Sequence, residues 1–166
     1  KLRRSFFLVA LLAIYLFGSY ASFKTGITWD TEQEQRVLVA NVKAVRGLIN
    51  GDHSPYQTLV AYSDKYYGIG FDAPASIIQA LAHRSVARHF GLDSATAYLA
   101  TKQWLTFTLF FVSALLFFLL SRRVTEDEPF AMLAALGYLL WPYLLGQSFL
   151  DIKDSPFLFA WFLCFH

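Results

Sequence analysis

Charge is scarce in this 166-residue chain. Only 16% of its residues are Asp, Glu, Lys or Arg, against about 25% in a typical water-soluble domain. The deficit is local. Ser5–Phe23, Gln103–Ser121 and Phe130–Leu150 hold no charged side chain at all. That pattern excludes an ordinary soluble enzyme and a disordered chain. Cysteine is also nearly absent. The single Cys164 excludes an internal disulfide and argues against a Cys-Cys or Cys-His metal site. The formal net charge of +2 is too small for a nucleic-acid partner. No Asn-x-Ser/Thr acceptor occurs between Lys24 and Lys102, which fits a bacterial cytoplasmic (inner) membrane.

What remains is 56% hydrophobic and 18% aromatic. Each charge-free run approaches the roughly 20 apolar residues that a helix needs to cross a bilayer. Pro156–His166 reads as the start of a further apolar segment. The expected fold is all-α and polytopic, with spans near 5–23, 103–121 and 130–150 and an incomplete one over 156–166. The whole reads as the N-terminal part of a single multi-span membrane domain. Lys1-Leu2-Arg3-Arg4 before an apolar run is also the plan of a secretory signal, with Gly18-Ser19-Tyr20-Ala21 as a cleavage site. The run exceeds a signal core and further spans follow, so it reads as a retained first helix.

Basic residues at span ends stay cytoplasmic. Lys1, Arg3 and Arg4 precede the first run, and Arg122 and Arg123 follow the second. This places Lys24–Lys102 outside as a long loop, with Gln147–Ser155 on the same side. The loop has amphipathic stretches suited to the membrane interface. Over Arg36–Asn50 the apolar face is Leu38, Val42, Val45 and Ile49, with Thr31 and Glu34 as a capping box. Over Ala73–Phe90 it is Ile78, Leu81, Ala82 and Val86, with Asp72 as cap and Gly91 as stop. Asp93 or Ser94 caps a third helix that enters the second span. Gly51–Phe71 is expected to be an ordered loop.

Two charged motifs are suited to chemistry. In Thr28-Trp29-Asp30-Thr31-Glu32, paired carboxylates can hold a divalent cation or act as a base. They also suit a helix start, where Asp30 or Thr31 caps and Glu32 and Glu34 favour the positive end. In Phe149-Leu150-Asp151-Ile152-Lys153-Asp154-Ser155-Pro156-Phe157, three charges sit at the membrane boundary, where they need water, protein or a charged ligand. Lysine binds phosphate as a point charge. Asp154 or Ser155 also suits the cap of a helix from Pro156, which leaves Asp151 and Lys153 unexplained. Tyr66-Tyr67-Gly68-Ile69-Gly70-Phe71-Asp72 lacks the preceding strand and third glycine of a nucleotide-binding turn. His83, Arg84, Arg88 and His89 form a wet basic face suited to solvent or to anionic head groups.

The order of these features resembles the GT-C superfamily of integral membrane glycosyltransferases, especially protein O-mannosyltransferases and the aminoarabinose transferase of lipid A. Thr28–Glu32 and the stretch Gly146-Gln147-Ser148 through Phe157 carry the resemblance. This chain has Asp-x-Glu where many members carry adjacent Asp-Glu. The resemblance implies a polyprenyl-phosphate sugar donor, a bilayer setting and transfer to a protein or glycolipid acceptor on the extracytoplasmic face. It implies Asp30 as catalytic base with Glu32 as helper or metal ligand, the same pair as ligands of a divalent metal cation, and Lys153 on the donor phosphate, with Asp151 or Asp154 orienting Lys153 or a cation. The competing reading is a non-enzymatic polytopic protein, a transporter part or an assembly scaffold. Charge-free spans with charges gathered in loops favour interfacial chemistry over conduction.

Overall fold

The computed structural model describes residues 2–66 and 69–166. Lys1, Tyr67 and Gly68, which figure in the basic flank and the tyrosine–glycine turn above, lie outside them. The described residues are all-α: α1 (Leu2–Ser22), α2 (Trp29–Ile49), α3 (Ser54–Ala61), α4 (Asp72–Phe90), α5 (Ser94–Thr125), α6 (Glu128–Leu140), α7 (Pro142–Leu150) and α8 (Asp154–Leu163). Helices α1 and α5 are long and apolar enough to cross a membrane.

Helix α5 has 32 residues, about 48 Å at 1.5 Å per residue. The hydrocarbon core is only about 30 Å thick, so α5 must project beyond it. Its N-terminus is capped by Asp93, whose Oδ1 accepts from the amides of Ala95 and Thr96 at 3.0 Å. The helix therefore begins well inside the expected loop and carries Lys102 with it.

Helices α1 and α5 run antiparallel. The Tyr15 and Phe111 rings meet at a tilt with centroids 5.0 Å apart, Phe7 meets Phe118 at 5.3 Å, and Trp104 Nε1 donates to Ser19 Oγ at 3.2 Å. Arg4 pairs with Glu128 at 2.6 Å. Arg3, Arg4, Arg122 and Arg123 thus gather at one end of the bundle. The core between α1, α5 and α6 holds Phe7, Leu11, Phe107, Phe110, Ala114 and Leu139. Gly18 makes this approach possible, because a Cβ there would lie 2.1 Å from Phe107 Cζ. At the far end Tyr20, Phe23, Phe90 and Trp104 form an aromatic cluster, with Lys24 over the Tyr20 and Phe90 rings. Aromatic residues of this kind favour a membrane–water boundary.

Some expectations are corrected, but the run 130–150 has the kink that Pro142 near its end offers. It breaks at Trp141, with a bend of 53° between α6 and α7. Pro142 has no amide proton and pushes the preceding residue out of the helical region, and Trp141 sits at φ −63°, ψ 115°. Taken together, α6 and α7 form a third span only if the bent pair counts as one. The expected loop Gly51–Phe71 contains α3. Helix α2 begins at Trp29, and Thr28, not Asp30 or Thr31, is its cap.

The apolar faces are also turned. In α2 the buried residues are Thr31, Glu34, Val37, Leu38, Ala44 and Gly47, whereas Val42, Val45 and Ile49 are exposed. Gly47 lets the chain fold back: a Cβ there would come within 2.7 Å of the Asp52 carbonyl and 2.9 Å of Pro55. In α4, Ala75 and Gln79 are buried, while Ile78 and Leu81 are exposed. Gly91 ends α4 in the left-handed conformation, φ 66°, as its lack of a side chain allows.

Candidate functional site

The two charged motifs meet at the end of the bundle opposite the arginines. The Thr28 hydroxyl accepts from the Thr31 amide at 3.3 Å and donates to the Leu150 carbonyl at 3.3 Å. One side chain therefore starts α2 and ties it to the end of α7. Along α2, positions three to four apart share a face, so Thr31, Glu34 and Leu38 point inward together. Glu34 is 3% exposed and pairs with Lys153 Nζ at 2.8 Å, while the Lys153 side chain remains 39% exposed.

The second motif is a tight turn. Asp151 Oδ1 accepts from the amides of Lys153 at 2.8 Å and Asp154 at 3.4 Å. This Asx-type arrangement sets the turn and supplies α8 with an acceptor at its start. It corrects the expectation that Asp154 or Ser155 caps a helix from Pro156: α8 begins at Asp154, and Asp151 serves the turn. Ile152, 3% exposed, anchors it from below. Burial and the neighbouring Asp151 push the Asp154 carboxyl above its ordinary range, against the pull of Lys153.

A third element joins them. Asp72 is the first residue of α4, not its cap, and forms a buried ion pair with Lys102 of α5. The Lys102 side chain is wholly buried. A carboxylate at a helix N-terminus is favoured by the exposed amides there, which suits Asp72 to hold this cation.

Glu34, Asp72, Lys153 and Asp154, with Phe71 and Ile152, line a cavity of about 340 Å³. Beside it lies an apolar groove of about 580 Å³ between α4, α5 and α8, lined by residues such as Ile78, Leu105 and Leu109. The cavity and the groove share Phe71, Pro156 and Phe157. A charged chamber thus opens onto an apolar groove along α5.

Of the residues singled out in the sequence, Lys153 and Asp154 line the cavity, and Asp151 shapes its wall. Asp30 and Glu32 stand on the exposed side of the first turn of α2, outside the lining, and Glu32 faces Arg36 at 3.5 Å. Among the described residues no group of three or more His, Cys, Asp or Glu is arranged to hold a metal ion. Asp30 and Glu32 therefore gain no third donor there, and Glu34 and Asp72 each face a lysine.

Glu34, Asp72 and Lys102 are the site residues that sequence reasoning missed. Each had a local explanation as a capping-box acid, a helix cap or a loop end. The available signal was Lys102 itself, a lone cation at the border of a charge-free run, which needs a partner from elsewhere. No protein-family model matches the chain, and neither the curated proteins nor the solved structures contain a significant match.

Proposed function

We propose that the chain belongs to a multi-pass glycosyltransferase of the bacterial cytoplasmic membrane, which takes a sugar from a polyprenyl-phosphate donor at the extracytoplasmic face. The observation that carries this reading is the junction of the charged cavity with the apolar groove. An isoprenoid chain matches the groove, and a phosphate–sugar head matches a chamber with lysine at its rim. The positive-inside rule puts the arginine-rich end in the cytoplasm, which leaves the cavity on the outer side.

In the reaction, the acceptor hydroxyl oxygen forms a bond to the anomeric carbon. The bond from that carbon to the phosphate oxygen breaks, and its electron pair leaves with the lipid phosphate. Lys153 stabilises the negative charge gathering there. A low-dielectric boundary strengthens such stabilisation. The hydroxyl proton passes to a carboxylate on the first turns of α2, where Asp30, Glu32 and Glu34 stand. Asp151 fixes the turn that presents Lys153.

The test is transfer of radiolabelled sugar from an undecaprenyl-phosphate donor in membranes containing the intact protein. Lys153→Met should reduce transfer by at least a hundredfold, in line with the loss of one preorganised charge stabiliser. Arg46→Ala, far along α2, should leave it unchanged. Transfer retained in Lys153→Met refutes the proposal.

A further inference from the structure

Two carboxylates that line the cavity, Asp72 and Glu34, each pair with a lysine, and the two pairs differ in kind. Asp72 and Lys102 are both buried, and Lys102 has no route to solvent. That pair is a fixed joint between α4 and α5. In the other pair Glu34 is buried at 3% exposure, but Lys153 is 39% exposed. Lys153 sits on a turn at the cavity rim, on a long flexible stem. It is the cation that can change partners.

We propose that the Glu34–Lys153 pair is a substrate-operated latch: an incoming phosphate takes Lys153 from Glu34, and the released Glu34 carboxylate becomes the base that accepts the proton of the acceptor hydroxyl. This rests on the phosphate-donor reading above and assigns the base within it to Glu34.

The electrostatics give the latch a direction. While Lys153 is 2.8 Å away, its ammonium occupies the Glu34 carboxylate. The donor phosphodiester bears one negative charge, as a carboxylate does, and competes for the same ammonium, gaining a second charge as its bond to the anomeric carbon breaks. Once Lys153 swings to it, the buried Glu34 carboxylate is uncovered and its oxygen can accept a proton. The base is uncovered only when donor is bound, which limits wasteful attack by water. The balance is that of ordinary glycosyl transfer. The new bond joins acceptor oxygen to anomeric carbon, the leaving phosphate keeps the electron pair of the broken bond, and Glu34 keeps the proton.

The experiment uses the intact protein in lipid nanodiscs, with farnesyl phosphate as the binding probe and sugar transfer as a second readout. Glu34→Gln removes the competitor for Lys153. It should bind farnesyl phosphate about fivefold more tightly than the parent, the scale of a half-exposed ion pair. It should also lose transfer by about a hundredfold or more, as expected for a missing general base. Lys153→Met should lose both. A purely structural role for Glu34 predicts weaker binding instead.

If Glu34→Gln binds no more tightly while Lys153→Met still abolishes binding, the latch is refuted and the phosphate reading stands. If neither the parent nor Glu34→Gln binds farnesyl phosphate, both fall. Transfer that survives Glu34→Gln but not Asp30→Asn assigns the base to Asp30 and refutes this assignment. Should Glu34→Gln not fold, Glu34→Asp withdraws the carboxylate by one methylene and keeps its charge. It should also tighten binding, and weaker binding refutes the latch.

Discussion

The Asp72–Lys102 pair makes a sharp energetic claim. Both groups are buried, at 7% and 0% side-chain exposure, where neither finds bulk water. Removing one partner strands the other as an uncompensated charge. Such a loss costs about 3–5 kcal/mol, whereas replacing both partners by neutral groups of similar volume is often neutral or stabilising. Asp72→Asn and Lys102→Met should each destabilise strongly, and the double variant should recover most of the loss. At about 2–4 °C per kcal/mol for a chain of this length, each single variant should melt roughly 6–20 °C below the parent. The double variant should lie within about 5 °C of it.

The assay is thermal unfolding of the protein in detergent micelles, read by tryptophan fluorescence and closed as a double-mutant cycle. The cycle matters because α4 has a second tie to α5, the hydrogen bond from Gln79 Nε2 to the Tyr98 carbonyl at 2.9 Å. That tie is untouched by either substitution and should hold α4 in place in the double variant. Single variants within about 1 kcal/mol of the parent would refute burial of the pair. Additive losses in the double variant would refute the pairing itself.

Three further outcomes follow from local geometry. Gly18→Val should lower stability by about 1–3 kcal/mol by overpacking against Phe107, whereas Gly137→Ala, with nothing within 4 Å of its new Cβ, should be neutral or stabilising; equal melting temperatures for the two variants would contradict the α1–α5 packing. Asp154 titrates above its ordinary value because of burial and Asp151, so its folded state favours the protonated form. Its contribution is fully present below the unfolded carboxyl pKa and is lost as pH rises through the folded one. Asp154→Asn should therefore raise the melting temperature at pH 7, with the gain vanishing below about pH 4; a gain that grows on acidification has the wrong sign. Finally, with Cys164→Ala as background, Glu32→Cys should react with a membrane-impermeant thiol reagent in intact cells, and Arg123→Cys only after permeabilisation. The reverse pattern would turn the topology over.

Two helix boundaries, the start of α5 and the end of α4, were legible because capping chemistry is local. Asp93 before α5 and Gly91 after α4 carry their meaning in their own side chains and backbone angles. The all-α class followed equally directly from the charge-free runs. Which side of each helix packs inward was much less legible. In water, a row such as Val42, Val45 and Ile49 would mark the buried face. Beside a bilayer it need not, because lipid is as apolar as a protein core and gives apolar side chains no reason to turn inward. Small residues then mark the packing face, since they let backbones approach. Ala44, Ala75, Ala97, Ala100, Ala114, Ala131 and Ala135 are all buried here. The same reversal decides the site. Read by motif, Asp30 and Glu32 stand out and Glu34 looks like a helix-end accessory. Read by packing, Thr31, Glu34, Leu38 and Ala44 belong to the inward stripe, so Glu34 is the acid of α2 that reaches the cavity and meets Lys153. An inward stripe that mixes small and polar residues (Thr31, Ala44, Gly47) with Val37 and Leu38 is therefore the sequence signal that would have selected Glu34 over its neighbours.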